Sequence, residues 1–226
     1  MRENGQVFLY AAIVPPQEIL DEIWSVAEAA SADGLIETPP GGRRKASRLR
    51  LLRSKRPAET ERPGPVLDLA RAIDVNLPMA KFGNLALHDA NRLAEALRES
   101  ASGWSSPRLR LGGCSTLESE TDPSIWVDLE GDLDDLLTVI RGVHEAAKSL
   151  RLFVDRRVFQ PRVRLGGVRA DATEPELEAL LARLQRFETD AWWQTEFHLL
   201  TLVDQGPDLP DYKSFADIAL GPHVAH

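Results

Sequence analysis

Val158-Phe159-Gln160-Pro161-Arg162-Val163-Arg164-Leu165-Gly166-Gly167-Val168 is the stretch on which the reading of this chain turns. From Pro161 to Val168 apolar and charged side chains alternate, which is the period of a strand. Val163 and Leu165 then project to one face and Arg162 and Arg164 to the other. Two guanidinium groups above a dry core would be costly, so their face must meet water or an anion.

Working outward, the chain of 226 residues is long enough to bury a substantial core. Its 43% hydrophobic and 27% charged content is that of an ordinary globular protein, and its formal net charge of -8 argues against a generally basic nucleic-acid binder. A single cysteine, Cys114, excludes an internal disulfide and suits a reducing, cytoplasmic location. The residue lies beside Gly112-Gly113 with no histidine near in sequence, so it reads as a small strand-end side chain. The short apolar run Val7 to Val14 lacks the pattern of a signal peptide, and no run approaches the roughly 20 apolar residues of a membrane span.

Val7 to Val14 is a buried strand, stopped by Pro15-Pro16. A helix follows from about Gln17 to Ala30, with Ile19, Ile23, Val26 and Ala30 in one stripe. Gly34 to Pro65 differs in kind. It holds Pro39-Pro40-Gly41-Gly42 and then Arg43, Arg44, Lys45, Arg48, Arg50, Arg53, Lys55 and Arg56 with no acid among them. This segment is either a long solvated loop or a phosphate-attracting arm, and Ser47 to Leu52 alternates as a short strand would. Val66 to Ala72 has helical spacing, and Asn76 to Leu85 follows as a strand.

Asp89 to Ser102 is a helix with Leu93, Ala94, Leu97 and Ala101 inward and Asp89 as its N-cap. Pro107 to Leu111 is a strand ended by Gly112-Gly113, and Ile125 to Leu129 is another. A helix from Gly131-Asp132 to about Leu150 turns Leu133, Leu136, Leu137, Ile140, Val143 and Ala147 inward. Beyond the opening stretch come a helix from Glu174 to Phe187, a strand from Trp192 to Val203, and a last strand or short helix from Lys213 to Leu220. This order predicts an α+β protein, one domain over 1–226, with antiparallel sheets covered by helices on one side.

Several segments carry a family resemblance. Gln160-Pro161-Arg162-Val163-Arg164-Leu165-Gly166-Gly167-Val168 resembles the second motif strand of the 2H phosphoesterase superfamily, which includes 2'-5' RNA ligases and RNA 2',3'-cyclic phosphodiesterases. In that strand a histidine stands where Arg162 is and a threonine where Arg164 is. Asn76-Leu77-Pro78-Met79-Ala80-Lys81-Phe82-Gly83 resembles the first motif strand, with Asn76 at the histidine place and Pro78 at the threonine place. The opening strand, Pro-Pro and helix also resemble the start of these proteins. The resemblance implies a two-lobed fold in which antiparallel sheets line a central cleft, helices lie outside, and each lobe contributes one motif strand. It implies no cofactor.

The family's two imidazoles take and give protons near neutral pH. Arg162 keeps its proton at any working pH, Asn76 does not titrate, and Pro78 has neither a hydroxyl nor an N–H. What remains at Arg162 and Arg164 is forked anion recognition, with Arg48 and Arg50 as further phosphate-binding candidates. Salt bridges from Arg162 and Arg164 to Asp128 or Glu130 are the alternative use of those cations. Arg108-Leu109-Arg110-Leu111-Gly112-Gly113 repeats the Arg162 to Gly167 pattern, through either lobe similarity or coincidence. Among the histidines, His88 reads as loop surface, His144 as the exposed side of a helix, and His223 and His226 as a frayed tail. His198 reads as structural, or as exposed on the polar face of its strand with Glu196. No paired His or Cys spacing suggests a metal site.

Three readings follow. In the first the chain is a degenerate 2H phosphoesterase-like protein that binds a nucleotide or RNA-terminal phosphate. In the second it is an active RNA 2',3'-cyclic phosphodiesterase or 2'-5' RNA ligase-like enzyme that uses His198 or His88. In the third it is a non-catalytic scaffold or partner-binding protein whose own salt bridges fill the cleft.

Overall fold

The computed structural model describes residues 5–33, 66–70, 75–116, 124–155, 157–170, 172–204 and 210–223. The elements in chain order are β1 (Gln6–Ile13), α1 (Gln17–Asp33), β2 (Leu67–Leu69), β3 (Leu77–Ala86), α2 (Leu87–Ala101), β4 (Arg108–Thr116) and β5 (Ser124–Gly131). They continue with α3 (Leu133–Ser149), β6 (Arg162–Val168), α4 (Glu174–Leu184), β7 (Trp192–Trp193), β8 (Glu196–Asp204) and β9 (Pro210–Ala219). The strands form a four-stranded sheet, β3-β1-β8-β9, and a five-stranded sheet, β2-β6-β5-β4-β7. Every pairing within them is antiparallel.

Each sheet is backed on one face by two helices that reach it from different parts of the chain. Helix α2 packs on β1, β3 and β9, and α3 packs on β3, while α1 and α4 pack together and reach β2 and β4. Thus α1 leaves the four-stranded sheet after β1 to cover the other one, and α3 leaves β5 and makes the opposite crossing. One continuous apolar cluster results, running from Leu9, Ile13, Leu77 and Phe197 to Leu109, Val127, Val163 and Leu165. The two sheets share a core, as an α+β chain with exchanged helices requires.

Several sequence expectations need correction. Val66 to Ala72, read as helical, supplies β2, whose backbone pairs with β6 from Leu67↔Val168 to Leu69↔Gly166; an unpaired sheet edge outweighs a short helical spacing. Strand β4 does not end at Gly112-Gly113 but runs on to Thr116. Its ladder with β5 slips by one residue between Gly112 and Ser115, where Gly113 takes φ +66°, a bulge that glycine makes without steric cost. Trp192 to Val203 is two strands: β7 pairs with β4 in one sheet and β8 with β1 in the other. Gln194 makes the crossing, accepting a hydrogen bond from Trp192 Nε1 at 2.8 Å while its amide donates to the Glu196 carbonyl. The last element, β9, is a strand.

Asp89 lies inside the first turn of α2, whose N-cap is Ala86 without a side-chain cap bond. Leu137 is 41% exposed, and Val139 and Ala146 take its place inside. On α1 the buried stripe is Ile19, Leu20, Ile23 and Ala27, with Val26 half-buried and the side chain of Ala30 outside the described residues. Helix α4 stops at Leu184, short of Phe187. The Arg108–Gly113 and Arg162–Gly167 repeats do not mark two lobes: β4 and β6 flank β5 within one sheet. The Gly34–Pro65 segment and the Ser47–Leu52 strand lie outside the described residues.

Gly142 shows how tightly the exchange is packed. The indole of Trp104 stacks on fully buried Phe197 of β8, with ring centroids 6.3 Å apart, and lies against α3 where Gly142 has no side chain. A Cβ there would fall 2.3 Å from the Trp104 ring. Helix propensity alone predicts a gain of about 1 kcal/mol for Gly142→Ala. We expect instead a loss of about 1–2 kcal/mol from overpacking, read as a lowered urea midpoint; a raised midpoint would refute this packing account.

Candidate functional site

The face of the five-stranded sheet turned away from α1 and α4 is built by strand period. Val163 and Leu165 are buried in the core, and Arg162 and Arg164 stand half-buried on the opposite face. In register, Arg162 lies across from Asp128 and Arg164 across from Trp126 of β5. One strand further, Arg110 of β4 lies across from Glu130.

The three guanidinium groups have different partners. Arg110 donates to Glu130 Oε2 from Nε at 2.9 Å and Nη2 at 2.6 Å, and to Glu188 Oε2 from Nη1 at 3.1 Å. The hydrogen bonds it donates to Glu130, and after them the nearby Glu188 charge, hold its pKa above the ordinary arginine value. Arg162 has no carboxylate partner among the described residues. Its Nε and Nη2 donate to Gln160 Oε1 at 2.9 and 2.7 Å, and its guanidinium carbon sits 5.2 Å from the Trp126 ring centroid. The expected pairing of Arg162 with Asp128 or Glu130 is therefore not made: Glu130 is engaged by Arg110, and Gln160 holds the Arg162 fork. Arg164 Nε donates to Ser124 Oγ at 2.9 Å. Beneath Arg162, the Trp126 indole N–H is buried and has no hydrogen-bond partner among the described residues.

On the four-stranded sheet, Leu77 and Met79 of β3 enter the core, and Pro78 pairs with Ala12 on the other face. Asn76, half-buried, precedes Pro78 by two residues and so shares its side. Ala12 also pairs with His198, and His198 with Asp217. A row Pro78, Ala12, His198, Asp217 thus crosses the sheet on the face away from α2 and α3. Beside it Phe8, Tyr10 and Tyr212 form a second apolar cluster, with Tyr10 and Tyr212 edge-to-face at 5.5 Å.

His198 Nδ1 donates to Asp217 Oδ1 at 2.8 Å, and Ser214 Oγ donates to the same oxygen at 2.5 Å. The bonds from Ser214 and then His198 hold the Asp217 carboxyl below its usual value. Sequence reasoning missed Asp217, because the pairing of β8 with β9 leaves no local signal. The two motif-bearing segments are joined at an edge: Lys81 of β3 and Asp155, in the lead-in to β6, exchange backbone hydrogen bonds at 3.2 and 2.8 Å.

The other histidines depart from expectation. His144 is half-buried, its Nε2 3.3 Å from the Met79 carbonyl, because α3 packs on β3. His223 packs on the Trp193 ring at 4.2 Å instead of fraying. His88 lies in the first turn of α2, exposed, with Nε2 3.2 Å from Asp89 Oδ1. Arg48, Arg50 and His226 lie outside the described residues. Among the described residues no group of three or more His, Cys, Asp or Glu side chains is placed to hold a metal ion, and no helix is long and apolar enough to cross a membrane.

No family model matches the sequence, and no curated protein matches it. Solved structures do. The chain is similar to TT0787 of Thermus thermophilus, at 15% identity and TM-score 0.58 over 94% of this chain and 97% of that one. It is also similar to E. coli LigT in the apo form, at 14% identity and TM-score 0.56 over 96% of this chain and 99% of that one. E. coli LigT complexed with 3'-AMP superposes at 15% identity and TM-score 0.55, covering 95% and 98%. The chain has the 2H phosphoesterase fold.

Within this fold Pro78 lies on β3 with Asn76 just before the strand, and Arg162 and Arg164 lie on β6, each pair on a face that no helix covers among the described residues. Cys114 offers no replacement nucleophile. It is half-buried beside the Leu181 carbonyl of α4, and burial, followed by the Asp128 charge, pushes its pKa from 9.0 up to about 11. The thiolate is the reactive form, so alkylation by iodoacetamide at pH 8 should run roughly 100-fold slower than for a free thiol. The folded chain keeps this proton after the unfolded chain has lost its own, so the associated stability fades as pH rises from 9.0 to about 11. Rapid labelling of the folded protein at pH 8 would contradict this environment.

Proposed function

We propose that this protein is a degenerate 2H phosphoesterase-like protein. On this reading it lacks the family's acid–base pair and binds a nucleotide or an RNA-terminal phosphate through Arg162 and Arg164. The observation that carries the reading is Arg162, a permanent cation at a motif place, with no carboxylate partner among the described residues and its fork held by a neutral Gln160 above Trp126. An arginine spent on structure would be paired with acid, as Arg110 is; one kept for an anion is positioned by neutral groups. E. coli LigT, which shares the fold, has been solved with 3'-AMP and with ATP. A cytoplasmic location belongs to the same proposal, since the single cysteine suits a reducing compartment.

Isothermal titration with 3'-AMP should show binding that Arg162→Ala weakens by about 1.5–3 kcal/mol, or roughly 10- to 150-fold. Ribonucleoside 2',3'-cyclic phosphates should not be turned over. An unchanged affinity in Arg162→Ala would remove the basis of this reading.

One observation favours the second reading, an active phosphoesterase using other residues. His198 shares a face with Pro78, and Asp217 fixes its Nδ1 as a donor, which turns Nε2 into the proton-accepting atom of the neutral ring. Should turnover of a cyclic phosphate be found, His198→Gln is expected to remove it by at least about 100-fold, the range of general acid–base catalysis. Turnover that survives His198→Gln would exclude that residue.

A further inference from the structure

Asp128 and Arg162 are direct partners across the β5–β6 ladder. The Leu129 N–H donates to the Pro161 carbonyl at 2.8 Å, so Leu129 and Pro161 form a hydrogen-bonded pair and Asp128 and Arg162 the adjoining non-hydrogen-bonded one. Opposite side chains approach most closely in such a pair, and both project to the uncovered face because Val127 and Val163 beside them are buried. A half-buried carboxylate and a half-buried guanidinium so placed would ordinarily join. They do not. Neither Asp128 nor Arg162 makes an ion pair among the described residues.

The chain just ahead of β6 accounts for the separation. In a non-hydrogen-bonded pair the Arg162 N–H turns away from β5, and it donates to the Gln160 carbonyl at 2.7 Å, closing a three-residue turn around Pro161. The fixed φ of proline suits the centre of an inverse γ-turn. Phe159 packs on the core and Pro161 is tied to β5, so Gln160 is held between two anchored residues although its own side chain is exposed. From there its Oε1 accepts from Arg162 Nε and Nη2, and Trp126 covers the guanidinium face, leaving Nη1 without a partner among the described residues. An opposite-charge pair on a half-exposed sheet face is worth little, and two hydrogen bonds with a ring contact outweigh it.

We infer that Gln160 is a positioning residue that keeps Arg162 out of an ion pair with Asp128, so that the Arg162 charge stays open on the uncovered face. Its bearing on anion binding rests on the site proposed above; the competition between Gln160 and Asp128 for one guanidinium does not. Without the Gln160 amide, Arg162 turns to the carboxylate opposite, and its charge is spent inside the sheet as that of Arg110 is.

A crystal structure of Gln160→Ala should place the Arg162 guanidinium on the Asp128 carboxylate. Cys114 reports the same change in solution and without a ligand, because the Asp128 charge is, after burial, a cause of its raised pKa. Iodoacetamide labelling at pH 8 should be faster in Gln160→Ala than in the wild type, approach the rate of Asp128→Asn, and gain nothing when the two substitutions are combined. Isothermal titration with 3'-AMP completes the cycle: Gln160→Ala should cost roughly 2- to 5-fold in affinity with Asp128 present and nothing in the Asp128→Asn background. Because Gln160 is exposed, its variant should keep the wild-type melting temperature, which is checked in parallel. An unmoved Arg162 and unchanged labelling in Gln160→Ala overturn the inference and leave the phosphate site standing. An equal loss of 3'-AMP affinity in both backgrounds also overturns it, as the mark of a direct Gln160 contact. The expected structure and labelling, with no 3'-AMP binding by any variant, keep the positioning role and refute the phosphate site.

Discussion

Among the described residues both sheets are covered by helices on one face only, and the positions of the candidate site residues depend on that asymmetry. A strand buried on one face must alternate, and its polar positions are then confined to the face left uncovered. In β6 this sends Val163 and Leu165 into the shared core and leaves Arg162 and Arg164 beside Trp126. In β3 it sends Leu77 and Met79 inward and sets Pro78 in a row with Ala12 and His198. The crossing of α1 and α3 makes each uncovered face a product of the whole chain, since either sheet would lose half its helical cover without the other.

The chemistry left on those faces follows from the groups available. Two imidazoles near neutral pH move protons; an amide, a proline and two guanidiniums do not. The guanidiniums differ from one another through their neighbours. Glu130 and Glu188 bind Arg110 into a structural network, while Gln160, a neutral acceptor, orients Arg162 without cancelling its charge. Trp126 adds the negative face of its ring from the other side. On the uncovered face of the four-stranded sheet, His198 is oriented by a carboxylate that Ser214 also bonds.

Charge is distributed here by partner more than by number. Lys81, Arg151, Arg157 and Arg162 form no ion pair among the described residues, while Arg110 is held by Glu130 and Glu188. Compensation is local, so a net charge of -8 says little about what any one face attracts.

The sequence by itself determined the α+β class and nearly every element, because apolar periodicity is a local property that burial on one side imposes. It also established that no imidazole stands at Asn76, Pro78, Arg162 or Arg164, which is a matter of residue identity alone. Only the tertiary structure decided which strand lies beside which. That is why β2 reads as a helix in the sequence, β7 and β8 read as one strand, and the arginine repeats leave lobe similarity and coincidence undivided until β4 and β6 are seen in one sheet. Sheet pairing joins residues far apart in the chain, so the partners of Arg110 and His198, and the neutral Gln160 hold on Arg162, could be settled only by the packing that brings them together.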